Sequence, residues 1–495
     1  MVFPPVSTFS DIKAQMNSNQ IALVSLKTSN GYHQFAINQQ NRRYLGLVRE
    51  RDVRKGVSSV LKGIGVTDRN GPIDVKTIED TDWKKAAAKL RENIFPEVQD
   101  DQWEQYQELV VVPDGLLWYL PFEILQTGGD DALKNLGDRI KIRYSPTINL
   151  AYAPLRPSRG LNRAATVVDR FHPKGEPEDS LRAFEDLKNE MPGVTQFDGR
   201  VAYPSNLIGA VADQVISFLD LPGSNRDGAM ALRPVQLDNT KKGKPLDGSD
   251  LAGWMMFPFD GPENVVLPGH SAGGAAGVKK QDGEDLFLTT TSLLASGVRT
   301  IMISRWRAGG PNSLALARKF AVSSQTKPAI DALIESTAAA RQMELDLDAE
   351  PRVKSAALVT ALKADHPFFW AGNMLVEIPD DRPAPQTNNI DPLNPNPLDE
   401  DANVDSDDVD AKDDEEDAEN PEPATDDDNT ETPEPATEGA EPDSSGSGTK
   451  ESDEKESTEE KPSVTESTEK KEPVEKPTEK EPGKEKTEEG SGSRG

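Results

Sequence analysis

The chain has 495 residues, 35% of them hydrophobic, no cysteine, and a formal charge of −30 at neutral pH. Without cysteine there are no disulfides, no thiolate nucleophile and no zinc site built on thiolates. The charge sits at one end: residues 379–495 hold 40 Asp/Glu against 12 Lys/Arg, and the remainder holds 46 acids and 44 bases, so it offers no net basic face to nucleic acid.

Residues 8–19 read as a short helix, with Thr8 or Ser10 as its cap. Strands are expected over 21–26 and 32–37, joined at Asn30-Gly31, a dipeptide suited to the positive φ of a tight hairpin. Helices are expected over 49–63 and 82–94; in the second, Trp83, Ala87, Leu90 and Ile94 recur at helical spacing. The apolar run 109–112 is unbroken and ends at Pro113-Asp114-Gly115, as a strand buried on both faces does. Further strands are expected over 140–144, 164–168, 215–221, 263–268, 299–304 and 368–376. Helices are expected over 180–191, 204–212, 246–256, 285–296, 311–322 and 328–346. Strands alternating with helices predict an α/β fold, a mostly parallel sheet with helices on both faces.

The organisation expected is an N-terminal α+β part over 1–100, an α/β domain over 101–378 and a tail over 379–495. The tail repeats Pro-Glu-Pro-Ala-Thr at 421–425 and 433–437. Its low hydrophobicity and high charge cannot offset the entropy of ordering, so a disordered segment is expected. Limited proteolysis should cut first beyond residue 385; uniform hydrogen-exchange protection across 400–490 would contradict this. No run of 18 or more apolar residues occurs, and Met1 to Pro5 lacks the basic-then-apolar order of a secretory leader. The expectation is a soluble, cytoplasmic protein that engages neither membrane nor nucleic acid.

Four stretches carry a resemblance. They are Val110-Val111-Val112-Pro113-Asp114-Gly115 with Leu120-Pro121-Phe122; Tyr144-Ser145-Pro146; Ser296 to Trp306, which ends Ser304-Arg305-Trp306; and His366-Pro367-Phe368-Phe369-Trp370-Ala371. In this order and spacing they resemble the CHAT domain, the caspase- and separase-like module of clan CD cysteine peptidases, over about residues 10–378. The resemblance implies a caspase-like fold with a base histidine ending one central strand and a nucleophilic cysteine ending the next. Leu221, in Val215-Ile216-Ser217-Phe218-Leu219-Asp220-Leu221, stands at the histidine's place. His270, in Val265-Val266-Leu267-Pro268-Gly269-His270, stands at the cysteine's. Leucine supplies no base, and an imidazole forms no stable acyl-enzyme, so the degenerate pair predicts an inert peptidase. The function implied is then a regulatory or interaction module with a protein or peptide partner and no cofactor.

The rival reading is a serine hydrolase. Gly269-His270-Ser271-Ala272-Gly273 spells G-x-S-x-G, the turn that presents a nucleophilic serine in α/β-hydrolases. That chemistry wants an acid and then a histidine downstream, and only His366 follows. Ser271 and His270 are therefore the candidate reactive residues. Asp220, Gly269 and Trp306 are expected to line the old cleft, and a contact between Asp220 and His270 is possible across the strand ends. Trp306 and Trp370 also read as packing residues, and His33 and His172 as surface residues. Four histidines without short ligand spacing predict no metal site. Gly273-Gly274 and Gly309-Gly310 complete no phosphate-binding pattern.

Overall fold

The computed structural model describes residues 7–66, 71–96, 105–128, 133–153, 160–198, 212–222, 261–272, 282–354 and 361–378. The expected helices over 204–212 and 246–256 and the expected tail lie almost entirely outside them.

Eleven strands form one sheet among the described residues. They are β1 (Gln20–Thr28), β2 (Gly31–Asn38), β3 (Arg42–Val48), β4 (Glu108–Val112), β5 (Lys141–Tyr144), β6 (Ala164–Val168), β7 (Thr195–Asp198), β8 (Gln214–Phe218), β9 (Asn264–Leu267), β10 (Thr300–Ser304) and β11 (Asn373–Glu377). Their order is β3-β2-β1-β4-β5-β11-β10-β9-β8-β6-β7. Two parallel blocks meet at an antiparallel seam: β1, β4, β5 and β11 run together, and β11 opposes β10, which runs with β9, β8, β6 and β7. The antiparallel β1–β2–β3 hairpins extend one edge, with Gly31 at φ 138° in the first turn. The mostly parallel α/β sheet read from the sequence is thus present.

The helices of seven or more residues among the described residues are α1 (Phe9–Gln15), α2 (Glu50–Gly63), α3 (Asp82–Ile94), α4 (Pro177–Glu190), α5 (Glu284–Ala295), α6 (Gly310–Ser323) and α7 (Ala329–Gln342). Thr8 caps α1 in a reciprocal box with Asp11, as its sequence position suggested. Period-two alternation along β1 explains why both faces of that edge are covered. Ile21 and Leu23 join the main core with Val53 and Val57 of α2 and Trp83 and Leu90 of α3. The intervening Ala22 packs with Ile12, Met16 and Val110 on the other face. The central strands β6, β8, β9 and β10 are buried along their whole length, as their mostly apolar sequences favour.

Three expectations need correction. The segment 215–221 is not one strand: β8 stops at Phe218, where Asp220 N–H turns to the carbonyl of Arg170, and a separate two-residue strand follows at Leu221–Pro222. The closing segment begins as a 3-10 turn, Pro367–Phe369, because Pro367 cannot donate to a ladder; only Asn373–Glu377 is strand. His172 is buried, not a surface residue.

Candidate functional site

Beyond the ends of β8 and β9 the chain makes one more short parallel pairing. Leu221 lies opposite His270 and Pro222 opposite Ser271. The two positions singled out from the sequence are therefore direct neighbours. Gly269 makes the approach possible: a Cβ there would stand 2.0 Å from the carbonyl oxygen of Leu219. In return, Leu221 N–H donates to the Gly269 carbonyl at 3.0 Å.

His270 is wholly buried. Its Nδ1 lies 2.8 Å from the backbone carbonyl of Ser304 at the end of β10. A carbonyl only accepts, so Nδ1 carries the proton, and in the neutral ring Nε2 is left as a bare acceptor. Nε2 receives no hydrogen bond among the described residues. Burial lowers the pKa of this imidazole, opposed by the Ser304 hydrogen bond and by the charge of Asp285. The ring is thus held neutral and sealed from solvent.

Asp285, in the first turn of α5, is the acid whose field reaches His270. It accepts a hydrogen bond from Tyr119 Oη at 2.7 Å, and Tyr119 Oη accepts from Gly283 N–H at 2.9 Å. Burial drives the Tyr119 pKa far upward, so the phenol remains a donor. Asp220, expected near His270, is instead engaged by Arg307: the ion pair closes at 2.7 Å to one oxygen and 2.9 Å to the other. Burial pushes the Asp220 carboxyl up to about 6 despite that guanidinium.

Ser271 is buried beside His270, and no hydrogen bond joins their side chains among the described residues. His366, the other histidine the hydrolase reading could use, is buried as well. It caps the 3-10 turn by accepting from Phe368 N–H, and burial lowers its pKa to about 4. Trp306, expected in the cleft, lies inside the core, donating from Nε1 to the Phe368 carbonyl at 3.0 Å and stacking on the Phe368 ring. Trp370 likewise packs, donating to the Asp365 carbonyl. Among the described residues, no group of three His, Asp or Glu side chains is arranged to hold a metal ion. No helix of the described residues is long and apolar enough to cross a membrane.

Asp285, Tyr119 and Arg305 escaped the sequence reading. Arg305 is fully buried, donating to the carbonyls of Trp118 and Ala371, with its guanidinium 4.6 Å over the Tyr144 ring. The usable signal was its place between Ser304 and Trp306, because a charged residue at the end of a buried strand must find internal acceptors.

The CHAT domain matches residues 84–238. No curated protein matches. Among solved structures, two of the Saccharomyces cerevisiae separase–securin complex are similar, each with a TM-score of 0.44, at 7% and 8% identity. In both, the match covers 75% of this chain and 31% of the other, so the chain spans about a third of that length. The Arg-specific cysteine proteinase gingipain R is similar at a TM-score of 0.35 and 10% identity, covering 66% of this chain and 76% of that one. Residues 84–238, which include strands of the mostly parallel sheet, are thus similar to the CHAT domain.

Proposed function

We propose that this peptidase-like module has no hydrolase activity and serves as a regulatory module that binds a protein or peptide partner. The observation that carries the reading is the pairing of Leu221 with His270 at the strand ends in a chain without cysteine. A thiol peptidase needs a sulfur nucleophile and a base within hydrogen-bond reach. Leucine can be no base, and the His270 ring is neutral, sealed and tied to the Ser304 carbonyl. The serine alternative draws support only from the motif around Ser271, which lacks a hydrogen-bonded base among the described residues.

The expected result is no turnover of peptide or ester substrates and no labelling by a fluorophosphonate, a reagent for activated serines. Stoichiometric labelling of the wild-type chain that vanishes in Ser271→Ala would overturn the reading in favour of a serine hydrolase. Peptide turnover that survives Ser271→Ala would overturn it in favour of a site elsewhere.

A further inference from the structure

The antiparallel edge of the sheet leaves an apolar face open. Side chains alternate along β1, β2 and β3, and the register sets two rows on one side, Val24–Phe35–Tyr44 and Leu26–His33–Leu47. A bulge between Tyr44 and Leu47 keeps both on that side. The neighbouring row, Ala22–Ile37, is covered by Ile12 of α1 and by Met16. The two open rows are not: Leu26, Tyr44 and Leu47 are 52%, 51% and 46% exposed, and Val24, His33 and Phe35 are half-buried. Tyr44 already packs on the rings of His33 and Phe35, and its Oη lies 3.0 Å from His33 Nδ1, so the face is preformed. Large apolar side chains left together in water mark a docking surface.

Position, sequence and charge point to the chain's own continuation as the occupant. Val376 of β11 is level with Tyr144, Tyr144 with Val111, and Val111 with Leu23. Ile378 is therefore level with Ser25, between the two open rows. From β11 to β2 is four strand spacings, about 19 Å. Residues 379–389 can span about 36 Å. Beyond Ile378, Ile and Leu occur only at Ile390, Leu393 and Leu398, and Phe, Met, Trp and Tyr do not occur. Pro392, Pro395 and Pro397 lie among them and favour an extended chain, which loses little entropy on docking. In such a chain Ile390 and Leu393 are about 9 Å apart. Leu26 and Leu47, two strand spacings apart, are separated by about 10 Å. Lys13 and Arg42 flank the face beside α1, both over the Phe9 ring, and neither pairs with a carboxylate among the described residues. Asp399-Glu400-Asp401 directly follows Leu398.

We propose that residues 390–398 of this chain dock on the face formed by Val24, Leu26, His33, Phe35, Tyr44 and Leu47, with the acids after Leu398 toward Lys13 and Arg42. A tethered segment acts at an effective concentration on the order of millimolar, so it shields the face from a free polypeptide of the same chemistry. Removing one apolar anchor weakens docking about tenfold or more. The contact is independent of the inactive-peptidase reading.

The test uses the full chain, which has no cysteine of its own. Spin labels at Gln40→Cys, in the exposed β2–β3 turn, and at Asn394→Cys report one distance by electron dipolar spectroscopy. A narrow distribution is expected. Leu393→Asp with Leu398→Asp should broaden it, and so should Leu47→Asp, with the thermal melt unchanged because Leu47 is already exposed. A synthetic peptide of residues 386–402 should bind the Leu393→Asp/Leu398→Asp chain at least about tenfold tighter than the parent chain. A broad distribution in the parent chain, a narrow one that Leu393→Asp with Leu398→Asp leaves unchanged, or equal peptide binding to both chains overturns the proposal. A narrow distribution from a mixture of chains labelled singly at Gln40→Cys and at Asn394→Cys also overturns it, giving the face to a second copy.

Discussion

Gly269→Ala is expected to destabilise the folded chain by about 3 kcal/mol or more, among the larger effects a single substitution produces. The reason is backbone proximity, not conformation. The added Cβ would meet the Leu219 carbonyl oxygen at 2.0 Å, its carbon at 2.9 Å and Phe171 Cε2 at 3.1 Å. A side chain could rotate away, but the Leu219 carbonyl belongs to the segment that turns from β8 into the Leu221–Pro222 strand. Relief therefore demands separating the Leu221 and His270 strands and breaking the Leu221 N–H hydrogen bond to Gly269. Gly175→Ala is the control, because its nearest neighbour would stand at an ordinary 3.5 Å. Denaturant midpoints measure both. A Gly269→Ala midpoint matching that of Gly175→Ala would mean the strand ends do not meet as described.

Stability should also fall as pH rises from 6.5 to 8.5, by on the order of 2 kcal/mol, and Glu350→Gln should flatten that slope. Glu350, in the loop after α7, is 3% exposed, and its Oε1 accepts from Asn312 N–H in the first turn of α6 at 3.1 Å. That hydrogen bond favours the carboxylate, yet burial outweighs it and pushes the carboxyl up to about 8 from an ordinary 4.5. A raised carboxyl pKa means the folded state keeps a proton the unfolded chain has released. Its contribution is complete below pH 4.5 and is lost as pH climbs through 8. Three other shifted groups act mainly below the chosen window. Asp220 is raised to about 6, so its loss is nearly complete by pH 6.5. Burial lowers His172 and His366 to about 4 from 6.5, and their contribution has the opposite sign, being lost as pH falls below 6.5. The difference between the wild-type and Glu350→Gln slopes above pH 6.5 therefore reports Glu350. Unfolding curves at several pH values decide: a slope that persists in Glu350→Gln would assign it to another group.

The chain's own pattern was enough for the strands and helices of the core and for their class. The unbroken apolar run at 109–112 and the mostly apolar stretches at 164–168 and 301–303 are best buried on both faces, and each lies inside the sheet. Short, polar-edged strands were invisible. β3 carries Arg42, Arg43 and the exposed Tyr44, and β7 is Thr195-Gln196-Phe197-Asp198; both lie at edges where one face meets water, so neither needs an apolar run.

At the site, the sequence by itself determined which side chains are missing: no cysteine occurs anywhere, and Leu221 and His270 stand where the resemblance places the histidine and the cysteine. Tertiary structure alone decided what surrounds them. Asp220 went to Arg307 because both lie past strand ends in the same block, whereas Asp285 reached the His270 region from α5 and was held by Tyr119, which lies 166 residues away in the chain. Trp306 left the cleft for the core because Phe368, brought back by the closing segment, offered its carbonyl and its ring. Burial and pairing of this kind depend on contacts between distant segments, and period and spacing along one chain carry no information about them.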